Sequence, residues 1–238
     1  MSSNISNPFL IYGVSLLFFS QCWLAAPAQD SLPGLKVISR MKNYRAQVRD
    51  DSTKRMVELK SMIPRLVYDL RYASDNNFMG RRMYPPGTKV SFLRWPAAQA
   101  LQQVEAELNR LGFGLKIFDA YRPYHVTVKF WELVKDERYV AHPGKGSNHN
   151  RGTAVDLTLI RADSGEELDM GTGFDHFSDT AHHGFTRLPD RVLQNRNLLR
   201  SLMEKHGFSR YENEWWHYAF RESARYDVLD IGFTKLGK

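Results

Sequence analysis

No charged side chain occurs before Asp30, and the first basic one is Lys36. Within that span, Phe9 to Phe19 reads Phe-Leu-Ile-Tyr-Gly-Val-Ser-Leu-Leu-Phe-Phe. So short an apolar run suits the core of a secretory signal better than a bilayer span, which needs about 20 residues. Ala26 and Ala28 supply the small-x-small pattern of a processing site, so cleavage is expected after Ala28 and residues 1–28 read as a signal peptide. An uncleaved anchor from Pro8 to Ala28 is the alternative, and the only reading that puts the chain on a membrane. A lipoprotein linkage at Cys22 fits poorly, because Phe19, Ser20 and Gln21 stand where small residues are required. A buried helix would need a cap and a polar face, and the segment has neither. The mature chain is therefore expected to start at Gln29 and to be exported to the periplasm.

Cys22 is the only cysteine and leaves with that segment. The remainder has no disulfide framework and no free thiol, the latter a liability in an oxidising compartment, and any metal must be held by His and carboxylate. The net charge of +7 points to residence near anionic cell-envelope polymers without naming a partner. Nucleic-acid binding is disfavoured by the absence of a recognisable module and by export.

Residues 29–62 interleave Lys, Arg and Asp with few apolar residues and read as an extended or loosely helical lead-in. Ile63 to Tyr72 alternates like a half-buried strand, and an Asn-, Gly- and Pro-rich loop follows from Asp75 to Thr88. Pro96 opens a helix whose Ala97, Ala100, Leu101, Val104, Leu108 and Leu111 share one stripe, with Gly112 as its cap. A strand is expected over 114–119 and a helix over 124–135, with Phe130, Trp131 and Val134 inward. A loop over 141–152 and a strand over 153–160 follow. A last helix runs from Pro189 to Gly207, with Val192, Leu198, Leu199, Leu202 and Met203 on its apolar side, and a strand region spans 208–220. Helices and short strands alternate without βαβ regularity. The expected fold is one α+β domain over 63–238, helices packed on a small antiparallel or mixed sheet.

Eight histidines are present, and the question is which have company. His149 lies in Ser147-Asn148-His149-Asn150-Arg151-Gly152-Thr153-Ala154-Val155-Asp156, in a loop before a strand that carries Asp156. The pair reads either as two metal ligands or as unrelated polar residues. His217 ends Glu214-Trp215-Trp216-His217. The tryptophans either exclude water from a site, raising the pKa of Glu214 towards that of a general base, or are core with the polar residues outside. Two His and one carboxylate match catalytic zinc, which keeps a position open. Glu214 is then free for proton transfer. Arg122, after a strand, either supplies charge to an oxyanion or is a surface arginine of a Tyr-Arg-Pro turn.

Taken in order, Asp-x-Tyr-Arg-Pro (119–123), Ser-x-His-x-x-Gly-x-Ala-x-Asp (147–156) and Glu-x-Trp-His (214–217) resemble the zinc D-alanyl-D-alanine dipeptidases. These are relatives of the D,D-carboxypeptidases and share a zinc-site layout with hedgehog domains. Val67 to Phe78 and Met170 to Asp175 resemble the dipeptidase branch in particular. The likeness runs from about Leu66 to Phe220. It implies one zinc bound by His149, Asp156 and His217, with Glu214 as base and Arg122 stabilising the transition state. It also implies Asp175 as partner of the substrate's amino group and Ser147 as a hydrogen-bonding residue of the site. The implied reaction is hydrolysis of D-Ala-D-Ala in cell-wall peptide metabolism, with 63–238 as the catalytic domain. The competing expectations are a D,D- or L,D-carboxypeptidase acting on peptidoglycan stems, and a non-catalytic, zinc-stabilised envelope-binding module.

Overall fold

The fold is organised by one strand buried on both faces. Every residue of Ala154 to Ile160 is buried, which is the pattern of a central strand covered on each side. A computed structural model of the chain describes residues 34–237. The expected signal peptide and the alternative anchor lie outside the described residues. Among these, no helix is long and apolar enough to cross a membrane.

In chain order the strands are β1 (Val37–Ile38), β2 (Met56–Glu58), β3 (Val67–Tyr68), β4 (Phe92–Arg94), β5 (Phe113–Asp119), β6 (Ala154–Arg161), β7 (Phe208–Tyr211), β8 (Glu214–Phe220) and β9 (Val228–Leu229). The helices are α1 (Met41–Asp50), α2 (Leu59–Met62), α3 (Trp95–Arg110), α4 (Tyr124–Leu133), α5 (Asn148–Arg151), α6 (Asp190–Lys205) and α7 (Phe233–Leu236). The main sheet has the order β3-β5-β6-β8-β7. Within it β3 joins β5 in parallel and every other pairing is antiparallel; outside it β1 pairs with β9 in parallel and β2 with β4 antiparallel. The class is α+β with a mixed sheet, as expected.

α3 lays Ala97, Leu101, Val104 and Leu108, all fully buried, into the core beside Leu115 and Leu157. α6 adds Leu199, Leu202 and Met203 to the same cluster. A second cluster joins Ile38, Tyr44, Tyr72, Tyr84, Phe130 and Phe233.

Four expectations differ from the structure. Leu111 is 55% exposed, because the helix ends at Arg110 and the next residue turns away from the apolar stripe. The strand expected over 63–72 survives only as Val67–Tyr68: a helical turn over Arg71–Ala73 breaks it and buries Tyr72. The expected loop over 141–152 contains the turn α5. Residues 37–62, expected as a loose lead-in, carry the regular helix α1 and two paired strands. They bury Ile38, Tyr44, Met56 and Leu59.

Candidate metal centre and active site

Strand register aligns the site. Asp119 on β5 stands opposite Asp156 on β6, which stands opposite His217 on β8. His149 arrives from α5, a single helical turn whose ends are both fixed. Ser147 caps its start, accepting from the His149 N–H at 3.1 Å, while Asn150 closes a reciprocal capping box. Gly152 ends it at φ 72°, the left-handed conformation that glycine adopts without strain.

The His149 Nδ1–H donates to the Ala120 carbonyl at 2.6 Å, which leaves the Nε2 lone pair facing the other two residues. His149 Nε2 lies 3.1 Å from His217 Nδ1 and 3.4 Å from Asp156 Oδ2, and His217 Nδ1 lies 2.9 Å from Asp156 Oδ1. Donors bound to a tetrahedral zinc at ~2.0–2.1 Å stand ~3.3 Å apart, so two imidazoles and a carboxylate at these separations fit that ion. The three can jointly hold a metal. Burial works to raise the pKa of Asp156, and the two imidazoles overcome it, holding the carboxyl below its usual range. Burial lowers that of His217. Both residues therefore favour the deprotonated form that a metal needs.

Glu214 is buried with its Oε2 3.9 Å from His217 Nδ1, next to the ligand trio but outside it. Burial, reinforced by the charges of Asp156 and Asp175, pushes its pKa well above the usual carboxylate range. Arg122 is buried too, and donates from Nε and Nη2 to Asp119 Oδ2 at 2.9 and 2.7 Å. Its Nη2 is 3.8 Å from Asp156 Oδ2, and its guanidinium packs on the rings of Phe130 and Tyr72. Asp175, at φ 58°, accepts the Tyr72 hydroxyl at 3.2 and 3.1 Å, and burial raises its pKa strongly.

All seven residues singled out from the sequence line one cleft of about 220 Å³. That is smaller than the ~300–1,000 Å³ of pockets for drug-sized ligands, and suits a very short peptide. Three further residues went unrecognised. Asp119 holds Arg122 and takes the Tyr84 hydroxyl at 2.5 Å, and Tyr72 holds Asp175. Asp119 stands three residues before Arg122 in the same motif, a spacing that could have flagged it. Among the other histidines, His125 pairs with Asp230, His206 with Glu107, and His142 meets Trp131 edge-on, and none of the three lines the cleft.

The family model of D-Ala-D-Ala dipeptidases matches residues 52–233. The chain belongs to the D-Ala-D-Ala dipeptidase family. This peptidase family is zinc-dependent, in keeping with the donor set above. The match begins within the segment expected as a lead-in, at the point where β2 and α2 enter the core. The D-alanyl-D-alanine dipeptidase of Escherichia coli is 36% identical over 182 residues, covering 76% of this chain and 93% of that protein. That of Enterococcus faecium is 33% identical over 175 residues, covering 65% and 86%. That of Streptomyces coelicolor is 33% identical over 181 residues, covering 68% and 89%.

Proposed function

We propose that this chain hydrolyses the free dipeptide D-Ala-D-Ala to two D-alanines, using one zinc ion held by His149, Asp156 and His217. The observation that carries the proposal is the placement of Glu214. It is a buried carboxyl with a raised pKa, beside the ligand trio and in the same small cleft as Arg122 and Asp175. A domain that only binds has no use for such a group.

Zinc in that position supplies Lewis acidity, which acidifies water to a pKa of ≈ 7 and polarises a carbonyl. Glu214 accepts the proton of the attacking water and passes it to the leaving amine. Burial, which raises its pKa, favours its holding the proton between the two transfers. Arg122, locked by Asp119, offers its guanidinium to the carbonyl oxygen as charge gathers there. Asp175, oriented by Tyr72, pairs the substrate's ammonium group. Phe78, Phe130 and Phe177 wall the cleft and exclude water, which strengthens these interactions. Ser147 spends its acceptor on the α5 cap and retains a hydroxyl proton for hydrogen bonding.

Asp175 also favours the dipeptide over a stem peptide. A stem peptide has no ammonium at that point and would leave a buried carboxyl without its partner. The charge-free leader and the basic mature chain support export to the periplasm, with a role in cell-wall peptide metabolism. N-terminal sequencing of the processed protein, starting at Gln29, tests that part.

The central test compares the zinc-loaded wild type with Glu214→Gln on D-Ala-D-Ala and on a pentapeptide ending in D-Ala-D-Ala. The variant is expected to keep its zinc and lose about 10²–10⁴-fold in turnover. The dipeptide is expected to be the better wild-type substrate. Wild-type turnover by Glu214→Gln, or full activity after exhaustive chelation, overturns the proposal.

A further inference from the structure

A free dipeptide carries a carboxylate as well as an ammonium, and neither enters a desolvated cleft without a partner. Arg122 is committed to Asp119 and lies beside Asp156, so it is held at the reacting centre. Among the described residues lining the cleft, the other Lys or Arg is Arg138. It sits on the strap over residues 134–147 that joins α4 to α5.

Arg138 is fixed at several points, unlike a free surface arginine. The Tyr211 hydroxyl donates to its carbonyl oxygen at 2.9 Å, and the Tyr211 ring centroid lies 5.8 Å from that of His217. The next residue, Tyr139, stacks on Phe177 at 4.6 Å. Asp136 takes the Arg138 Nε at 3.1 Å and Nη2 at 2.6 Å. Nη1 has no hydrogen-bond partner among the described residues, and the side chain is 69% exposed. A planar guanidinium anchored on one edge by a carboxylate presents its other edge in a set direction. Here that edge belongs to a residue at the cleft rim on the His217 side. Asp175 and Tyr72 provide the anionic subsite in the same cleft.

We propose that Arg138 pairs the C-terminal carboxylate of the substrate through Nη1. This rests on the dipeptide reading above and adds how the site senses the other end of the peptide. The cleft then takes a peptide with a free C-terminus and discriminates against the same peptide closed as an amide.

The test separates recognition from turnover. Binding of D-Ala-D-Ala and of its C-terminal amide is measured by calorimetry to zinc-loaded Glu214→Gln and to Glu214→Gln/Arg138→Ala. Loss of one charge-assisted hydrogen bond is expected to weaken the dipeptide about tenfold or more and leave the amide nearly unchanged. Arg138→Lys is expected to recover part of the loss. In the enzyme with Glu214 intact, Arg138→Ala is expected to raise KM for the dipeptide far more than it lowers kcat. Equal weakening of both ligands marks a merely structural role and overturns the proposal, as does no weakening of either. A wild-type enzyme that leaves D-Ala-D-Ala intact, with the selective binding loss still present, refutes the hydrolytic reading and upholds the Arg138 assignment.

Discussion

Replacing Asp119 by Ala removes the group that holds Arg122. Asp119 is fully buried and Arg122 is 8% exposed, so the guanidinium cannot recover its lost partner from bulk water. Leaving one member of a buried ion pair unpaired costs about 3–5 kcal/mol. Asp156 Oδ2, 3.8 Å away, offsets part of this and favours the lower end, about 3 kcal/mol. For a domain of this size each kcal/mol moves Tm by about 2–4 °C, so a fall of about 6–12 °C is expected. The variant also frees the Tyr84 hydroxyl, which adds to the loss. Activity is expected to fall about 10²–10³-fold as the oxyanion donor loses its orientation. The assay is calorimetric unfolding at fixed free zinc, since bound metal stabilises by mass action, with kcat and zinc content measured on the same sample. A double variant, Asp119→Ala/Arg122→Met, removes both charges. It is expected to regain most of the stability and none of the turnover. Asp119→Ala melting within ~1 kcal/mol of wild type, or stability losses that simply add in the double variant, would refute the reasoning.

Two further predictions concern the scaffold. Gly152→Ala forces a side chain into φ 72° and sets its Cβ 2.5 Å from the end of Met56. The thioether can swing away, so the backbone term of about 1–2 kcal/mol should dominate the fall in urea midpoint. An unchanged midpoint would contradict this. Burial, with help from Arg210, Arg200 and Arg196, pushes His183 down to about 3. The unfolded chain takes up that proton near pH 6.5 and the folded one does not. The His183 contribution is therefore complete above about pH 6.5 and shrinks as pH falls towards 3, with a slope of at most ~1.4 kcal/mol per pH unit. His183→Gln should flatten that part of the stability profile, and parallel profiles for the two proteins would remove His183 as its source.

What could be read from the sequence follows from how local each signal is. Within Ser147 to Asp156 the strand and the turning Gly152 are legible, while the single turn α5 reads as loop because four residues carry no periodicity. Spacing alone leaves His149 and Asp156 either as a pair or as unrelated residues. Pro96, the apolar stripe and Gly112 delimit α3 to within a residue or two. The other failures are non-local. Nothing near Val37 announces a partner at Val228, so β1 was hidden in a run of charges. Ile63 to Tyr72 carries the right alternation for a strand. Tyr72 is nonetheless drawn out of line to face Asp175, 103 residues away. Asp119 opens the Asp-x-Tyr-Arg-Pro motif, but its hold on Arg122 escaped notice because that role depends on burial, and Ile117, Phe118 and Asp119 at the end of β5 are buried in succession.

The pairing of β1 with β9 also sets a clock. Val37 bonds alongside Val228, and Lys36 reaches Asp227 across 191 residues of chain. At ≈ 5–20 residues per second, the ribosome delivers that partner roughly 10–40 s after the first strand has been made. Until then β1 has an open edge and α1 lacks the contact from Gln47 to Asp227. The nascent chain thus stays without its closing staple until almost all of it has been made.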